Sequence, residues 1–212
     1  MQTSERRQQL GEALIGAAER AIEARGLGGL KARDLAQEVG CAVGAIYNVF
    51  PDLDALVLHA NLRTLARFEA LIAASPPASA KGHAAHLDAA VADLVRLAQV
   101  YLGFASEHRL RWRALFEHRM AGGRSPPDWY MKEQVRLFSY IEEPLRVLQP
   151  NLPEDERALL ARSLFSAVHG VVSLGLDEKL MILPTGILRG QVERVVAALG
   201  RGLASSPAER EP

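Results

Sequence analysis

The sequence predicts an all-α protein of about nine helices. Apolar residues recur three or four positions apart over long stretches, as at Leu10, Leu14 and Ala18, which places them on one face of a helix. Alanine, leucine, arginine and glutamate favour helices and are plentiful, whereas alternating β-branched residues are scarce. Hydrophobic residues make up 49% of the 212 positions, enough to build a core for one or two domains.

Residues 30–50 predict two short helices joined by a tight turn at Gly40. The apolar stripe of the first helix ends at Val39, and Ile46 and Phe50 continue it on the second helix, four residues apart. Glycine suits the turn because it readily adopts the left-handed conformation that ends a helix. This pattern is typical of a helix-turn-helix unit, whose second helix can enter the major groove of DNA.

The remaining elements follow from the same spacing and from turn residues. Asp52 is predicted to cap the next helix through its side-chain oxygen, and Pro144 to bend or end the helix that contains it. A Pro- and Ser-rich loop at 75–82 separates the N-terminal helices from a larger region. The other predicted helices cover residues 4–25, 53–74, 87–108, 110–120, 128–148, 154–176 and 184–204. We assign residues 1–52 to a DNA-binding domain and 53–212 to a C-terminal helical domain.

Composition excludes several classes of protein. The formal net charge is zero, which argues against coating nucleic acid by bulk charge but leaves room for a local basic patch. Cys41 is the single cysteine, so no intrachain disulfide is expected. The N-terminus is polar and no apolar run approaches the ~20 residues that span a bilayer, which predicts a cytoplasmic protein without a membrane partner. The histidines lack metal-ligand spacing and no catalytic constellation is present, so we expect no metal, no cofactor and no enzymatic activity.

The residues around the turn follow the order and spacing of a known family. They are a glycine before the turn, a small residue, a hydrophobic-Tyr pair, a Phe-Pro pair and an Asp-Ala-Leu run: Gly40, Gly44, Ile46-Tyr47, Phe50-Pro51 and Asp54-Ala55-Leu56. With Arg33-Asp34-Leu35-Ala36 before them, they make residues 6–60 resemble a TetR-family transcriptional regulator. The resemblance implies a three-helix DNA-binding domain, a C-terminal domain that binds ligand, and a homodimer formed through the last two helices.

The C-terminal region carries a weaker resemblance. Residues 100–108, followed by Leu115-Phe116, look like a ligand domain named for a Trp-His-Gly signature, and residues 167–174 resemble that signature with Phe165 at the tryptophan position. At the DNA end the chain departs from the family twice. Lys31 stands where a Ser or Thr cap is usual, and Leu53 stands where a phosphate-binding Lys is usual.

Eight residues within 31–48 are predicted to contact DNA. Tyr47 is the leading phosphate contact, through its hydroxyl, and Lys31 and Arg33 are the next, with Arg6 and Arg7 as a possible arm. Asn48 could read adenine or bind phosphate. The small residues at the start of the second helix permit close approach to bases and contact with thymine methyls: Ala42, Val43, Gly44 and Ala45. The alternative for Tyr47 and these four residues is a packing role.

A set of aromatic and polarisable residues is predicted to line an apolar ligand cavity between helices. Three of them are four residues apart and so are expected on one helix face: Trp112, Phe116 and Met120. The others lie on neighbouring helices: Tyr101, Phe104, Phe138 and His169. The alternative is that this stripe is simply hydrophobic core, with His169 as a hydrogen-bonded core or interface residue.

These observations predict a homodimeric repressor that a small apolar or amphipathic effector releases from a palindromic, double-stranded DNA operator. A palindrome suits a two-fold dimer because half-site spacing must match subunit spacing. An activator remains open, since operator position decides that. The alternative class is a helical ligand-binding or interaction protein with a degenerate DNA end, because four basic residues there are balanced by four acidic ones: Lys31, Arg33, Arg6 and Arg7 against Glu5, Glu12, Asp34 and Glu38.

Overall fold

The computed structural model describes residues 2–77, 82–177 and 184–205, and these ranges contain ten α-helices and no strand. The prediction of an all-α protein is therefore confirmed. The helices are α1 (Gln2–Arg25), α2 (Ala32–Val39), α3 (Val43–Val49), α4 (Leu53–Ala74), α5 (His83–Glu107), α6 (Arg109–Glu117), α7 (Asp128–Leu137), α8 (Ser139–Leu148), α9 (Glu154–Leu176) and α10 (Thr185–Ser205).

The turn between α2 and α3 has the geometry that the sequence predicts. Gly40 adopts the left-handed conformation, with φ 75° and ψ 37°. The amide of Cys41 donates to the carbonyl of Ala36 (2.9 Å), and the amide of Gly40 donates to that of Gln37 (3.3 Å). These two bonds form the Schellman ending of a helix, which requires a residue tolerant of positive φ.

The predicted helix at 128–148 is instead two helices, which raises the count from about nine to ten. The break falls at Phe138, between α7 and α8, and the Ser139 hydroxyl donates to the carbonyl of Arg136 there (2.7 Å). The prediction that Pro144 could end the helix is wrong, since Pro144 lies buried inside α8, which continues to Leu148. Because α8 begins at Ser139, Pro144 removes the helical donor only from the carbonyl of Tyr140, within the first turn.

The chain forms two compact units. The first unit comprises Met1–Phe68 and Glu107–Glu133, and the second comprises Glu69–Ser106 and Gln134–Pro212. Residues 107–133 therefore join the N-terminal helices, although they are far from them in sequence. The predicted domain boundary after residue 52 separates the segment expected to contact DNA from the rest of the chain, and it stays a prediction.

In the first unit, α1 packs against α2, α3 and α6. The core is made of aliphatic and aromatic side chains that are almost fully buried, including Leu14, Ile22, Leu35, Ile46, Phe50 and Leu56. Burying each such side chain contributes roughly 1.5–3 kcal/mol. Since α3 has only seven residues and isolated helices of that length are unstable in water, its conformation depends on this packing.

A buried arginine joins α6 to α1. Arg111 is 4% exposed, and its guanidinium donates to Glu19 (2.9 Å) and to Glu23 (2.8 Å). The other oxygen of Glu19 accepts a hydrogen bond from Arg63 of α4 (3.0 Å). Burial opposes the charged form of Arg111, but the hydrogen bonds to Glu23 and Glu19 leave its pKa raised overall. The same Arg111 hydrogen bond lowers the pKa of Glu23.

In the second unit, α9 packs against α8 and α10. Gly175 marks a close approach of α9 and α10, because a Cβ at that position would lie 2.6 Å from a methyl of Leu188. Leu188 is buried on α10, so its side chain has little freedom to move aside. The two helices therefore meet through a small residue on one and a large residue on the other.

Candidate functional site

Helix α3 has one buried face and one exposed face. Ile46 is fully buried and Phe50, directly after the helix, is 6% exposed, and together they attach α3 to the core of the first unit. On the other face Val43 is 37% exposed and Tyr47 is 49% exposed. Ala42, Gly44 and Asn48 are exposed as well, whereas Ala45 is only half-buried. The helix thus presents a fixed surface on which most of the predicted base-contacting residues are accessible.

The charges around this surface are arranged differently from the sequence expectation. Glu38 of α2 pairs with Arg20 (2.7 Å) and Asp34 with Arg25 (3.9 Å), both partners being on α1. Glu12 pairs with Arg63. Three of the four carboxylates that were expected to balance the basic residues therefore have other arginine partners.

Four cations remain near the helix-turn-helix unit. Lys31, Arg33, Arg6 and Arg7 are exposed, and none of them forms an ion pair with any residue in the described ranges. Lys31 immediately precedes α2 and Arg33 lies in its first turn. The surface near α2 therefore carries free positive charge, although the net charge of the whole chain is zero.

The three helices at this end differ in how they begin. Neither Lys31 before α2 nor Ala42 before α3 makes a side-chain capping bond. By contrast, Asp52 accepts a hydrogen bond from the amide of Ala55 (2.8 Å), which confirms the predicted cap of α4. The pKa of Asp52 is lowered, chiefly by the hydrogen bond from that amide and next by the hydrogen bond from Arg124.

A groove of about 310 Å³ lies between α1 and the end of α3. Four of its lining residues are apolar or small, Gly11, Ile15, Val49 and Phe50, and four are polar, Ser4, Arg7, Gln8 and Glu12. Because Arg7 lines this groove, the N-terminal turns of α1 and the end of α3 form one continuous surface.

Part of the predicted ligand set meets in the second unit. The Tyr101 hydroxyl lies 2.7 Å from Nδ1 of His169. Phe165 has its ring centroid 5.3 Å from that of Tyr101 and 5.5 Å from that of Phe138. Burial lowers the pKa of His169. The predicted ligand set lacks Phe165, although Phe165 lies one turn before His169 on α9.

The other predicted ligand residues have different surroundings. Trp112 and Phe116 belong to the first unit, where Trp112 is 2% exposed and Phe116 is exposed. Helix α6 ends at Glu117, so the prediction that Met120 shares its face is wrong. Phe104 of the second unit is almost fully buried, as expected of a core residue. The structure therefore divides the predicted set between the two units.

Comparison with known proteins identifies the family. Residues 14–60 match the family model of bacterial regulatory proteins of the tetR family, and residues 94–199 match the tetracyclin repressor-like C-terminal domain. The second match alone covers half of the chain.

The chain belongs to the TetR family. It is a transcriptional regulator whose DNA-binding helix-turn-helix unit is formed by α2 and α3. The Trp-His-Gly signature suggested by residues 167–174 is not confirmed by these matches. No curated protein matches the chain significantly in sequence.

Solved structures share the fold over nearly the whole chain. A protein of unknown function from Rhodococcus sp. RHA1 has 25% identity and a TM-score of 0.65, covering 92% of this chain and 96% of its own. A tetR-family transcriptional regulator from Streptomyces coelicolor has 20% identity and a TM-score of 0.64, with coverages of 93% and 83%. The multidrug binding protein EbrR, complexed with imidazole, has 20% identity and a TM-score of 0.59, with coverages of 95% and 98%.

Two helices are long and apolar enough to cross a membrane by length and composition, although the sequence indicated no such run. They are Ala85–Glu107 and Glu154–Leu176. Half of the most apolar stretch of the first helix is buried inside the protein, but only 11% of the corresponding stretch of the second is. Such helices are weak evidence for a membrane protein, and regulators of the TetR family are soluble cytoplasmic proteins. The low burial of α9 instead leaves a long apolar surface in the single chain.

Because α2 lacks a side-chain cap, one substitution at Lys31 should increase stability and at the same time weaken DNA binding. Lys31→Ser should raise the free energy of unfolding by about 1 kcal/mol, because a Ser side chain can accept a hydrogen bond from a free amide in the first turn. The same change should weaken binding to any duplex, since it removes a free cation. Urea denaturation and fluorescence anisotropy with a labelled duplex measure the two effects.

Lys31→Ala is the matched control, because it removes the cation without supplying a cap. It should weaken DNA binding as much as Lys31→Ser does and leave stability nearly unchanged. Equal stability of the two variants would show that residue 31 does not act as the N-cap of α2.

Proposed function

We propose that this TetR-family regulator is a homodimeric repressor that binds a palindromic operator and is released by a small apolar or amphipathic effector. The observation that carries the proposal is the exposed, uncharged face of α3 beside cations that have no partner within the described ranges. A protein–DNA interface needs both features, because cations and hydroxyls position the protein on phosphates and the recognition helix reads bases.

The phosphate contacts in this proposal are Lys31, Arg33 and the hydroxyl of Tyr47. Lys31 and Arg33 have no competing carboxylate among the described residues, so binding phosphate costs them no existing ion pair. Arg6 and Arg7 add two further exposed cations at the N-terminal end of α1. Leu53 still lacks the charge of the usual Lys, so each half-site contributes modest affinity and a dimer is needed for tight binding.

The dimer in this proposal forms through α9 and α10. Helix α9 carries one stripe with exposed leucines at its two ends and small residues between them, all exposed except the half-buried Gly170: Leu159, Ser163, Ser166, Ala167, Gly170 and Leu174. The Ser163 and Ser166 hydroxyls donate to carbonyls of their own helix, at 3.0 and 2.8 Å. A partner helix can therefore cover this stripe closely without leaving those donors unsatisfied.

Helix α10 adds exposed apolar side chains to the same proposed interface. Ile187 is 51% exposed, and Leu199, twelve residues further along α10, is exposed as well. Large apolar side chains that remain exposed on two neighbouring helices indicate a surface that a second protein covers. TetR-family regulators form dimers, and a second copy of this chain is the partner that the family favours.

The effector in this proposal binds near the aromatic cluster of the second unit, defined as Tyr101, Phe138, Phe165 and His169. The cluster offers apolar ring faces together with one polar pair, Tyr101 and His169, which could orient a ligand. Arg162 lies over the ring of Phe138, with 5.3 Å from its guanidinium carbon to the ring centroid. An amphipathic ligand with an aromatic part suits such surroundings.

Release in this proposal follows from a shift between two populations. The effector binds more tightly to a dimer conformation that cannot contact both half-sites at once. Its binding therefore lowers the fraction of dimer able to bind the operator. Helix α4 is the proposed coupling element, because it contributes residues to both units. The alternative function, a ligand-binding protein with a degenerate DNA end, loses its main support because Glu12, Asp34 and Glu38 are paired with other arginines.

The DNA-binding proposal is tested by the salt dependence of binding to a duplex enriched from a randomised library. The double variant Lys31→Ala, Arg33→Ala should reduce the slope of log K against log salt concentration by about 0.9 for each phosphate that the protein no longer neutralises. Lys132→Ala, an exposed lysine on α7, is the matched control and should leave the slope unchanged. If the purified chain enriches no duplex, or if the three slopes are equal, the proposed contacts are wrong.

The dimer proposal is tested at the centre of the α9 stripe. Gly170→Leu should shift the protein from dimer to monomer in sedimentation velocity, because the added side chain meets a partner helix. A Cβ at Gly170 meets nothing within 4 Å in the single chain, so the protomer itself should fold normally. Gly103→Leu on α5 is the control, since it also has open space around it and should remain dimeric. A dimer that survives Gly170→Leu at unchanged affinity would place the interface elsewhere.

A further inference from the structure

Helix α3 presents an uncharged surface. Its sequence, Val43–Val49, contains no acidic or basic residue, and its hydrogen-bonding side chains are those of Tyr47 and Asn48. Val43 and Tyr47 are exposed although they are among the larger apolar side chains, and both lie on the accessible face. A helix that keeps a branched aliphatic side chain in water on its recognition face gains by covering that side chain when DNA binds.

We propose that Val43 contacts a thymine methyl group and that Asn48 reads the adenine of a neighbouring A·T pair, so that the core of each half-site is A·T in preference to G·C. This inference rests on the proposed DNA-binding function and specifies the bases that the site selects. Val43 makes the apolar contact, and Asn48 makes the hydrogen bonds.

The chemistry of the major groove favours this assignment. Guanine presents two acceptors, O6 and N7, which proteins most often read with the paired donors of Arg or with Lys. Helix α3 has neither residue. An A·T pair presents the thymine methyl, which suits an aliphatic side chain, and the adenine N6 and N7, which an Asn amide can bind with one donor and one acceptor.

The geometry of α3 limits how much sequence it can read. Val43 and Asn48 are five residues apart, which is about 7.5 Å along the helix and therefore about two base-pair steps of about 3.4 Å. Gly44 lies beside Val43, and open space surrounds the position of its missing Cβ, so the helix backbone can approach the bases closely. Ile46 and Phe50 are buried, which fixes the direction in which Val43 and Asn48 point. We therefore expect two or three adjacent base pairs to carry the methyl and adenine contacts.

A competing assignment places a guanine contact on α2. Arg33 is exposed and has no ion-pair partner in the described ranges, so its guanidinium could bind guanine if α2 lay in the groove. In helix-turn-helix proteins the first helix crosses the backbone instead, which assigns Arg33 to phosphate. Enrichment of an invariant guanine that disappears with Arg33→Ala would favour the competing assignment.

The experiment begins with a duplex enriched from a randomised library by the full-length protein. Each thymine of the enriched half-site is then replaced singly by deoxyuridine, which removes only the C5 methyl. One or two of these replacements should weaken binding about four-fold, the effect expected for one buried methyl group. In the Val43→Ala variant the same replacements should change affinity less than two-fold, whereas Val49→Ala, a valine on the buried side of α3, should retain the four-fold effect.

A second set of duplexes separates the methyl contact from the adenine contact. A duplex in which 5-methylcytosine·G replaces the sensitive T·A pair should bind more tightly than one in which cytosine·G replaces it, because the two duplexes differ only in the methyl group. Asn48→Ala should reduce the preference for adenine at a neighbouring position by about ten-fold or more. These results would support the assignment.

Two outcomes overturn the inference in different ways. If the enriched duplex binds with strong salt dependence but tolerates every deoxyuridine replacement, or carries G·C at the contacted positions, α3 does not read thymine methyls and the DNA-binding function stands. If no duplex is enriched and binding shows no salt dependence, the proposed function fails together with the inference.

Discussion

The first unit depends on a charge that is almost completely removed from water. Burying a guanidinium costs several kcal/mol unless carboxylates and hydrogen bonds compensate it, and Arg111 meets this condition through Glu19 and Glu23. Glu19 is itself buried and also accepts from Arg63, so helices α1, α4 and α6 share one network. The sequence positions of α1 and α6 are about ninety residues apart, and this network makes them neighbours in one compact unit.

The recognition surface is a consequence of that arrangement. Helix α3 is short and has no side-chain cap, so it contributes little stability of its own. It is held by Ile46 and Phe50 against a core to which α1 is central, and α1 in turn is held by Arg111. Glu12, Asp34 and Glu38 are paired with arginines, which leaves Lys31 and Arg33 as free charges at the start of α2. Packing and charge thus leave accessible the face that we propose for DNA.

The local features of this architecture could be predicted from the sequence, because they depend on residues close together in the chain. Gly40 in the turn, Asp52 as a cap and the apolar spacing of Ile46 and Phe50 are of this kind. Features that depend on distant residues could not be predicted. The pairing of Glu19 with Arg111 and of Glu38 with Arg20 requires the packed helices, and without it the four acidic residues seemed to cancel the four basic ones. The break at Phe138 was missed because Pro144 gave the stronger local signal, and the membership of Trp112 in the first unit is a property of tertiary packing.

The dependence of the first unit on Arg111 is tested most directly by urea denaturation of Arg111→Met followed by tryptophan fluorescence. Both tryptophans of the chain, Trp112 and Trp129, belong to this unit, so the signal reports its unfolding. Arg111→Met should lower the free energy of unfolding by about 3 kcal/mol, because Glu19 stays buried without one of its partners. Arg113→Met, which removes an exposed pair with Glu117 on the same helix, should cost less than about 0.5 kcal/mol. Equal and small losses in the two variants would contradict the central role of the buried pair.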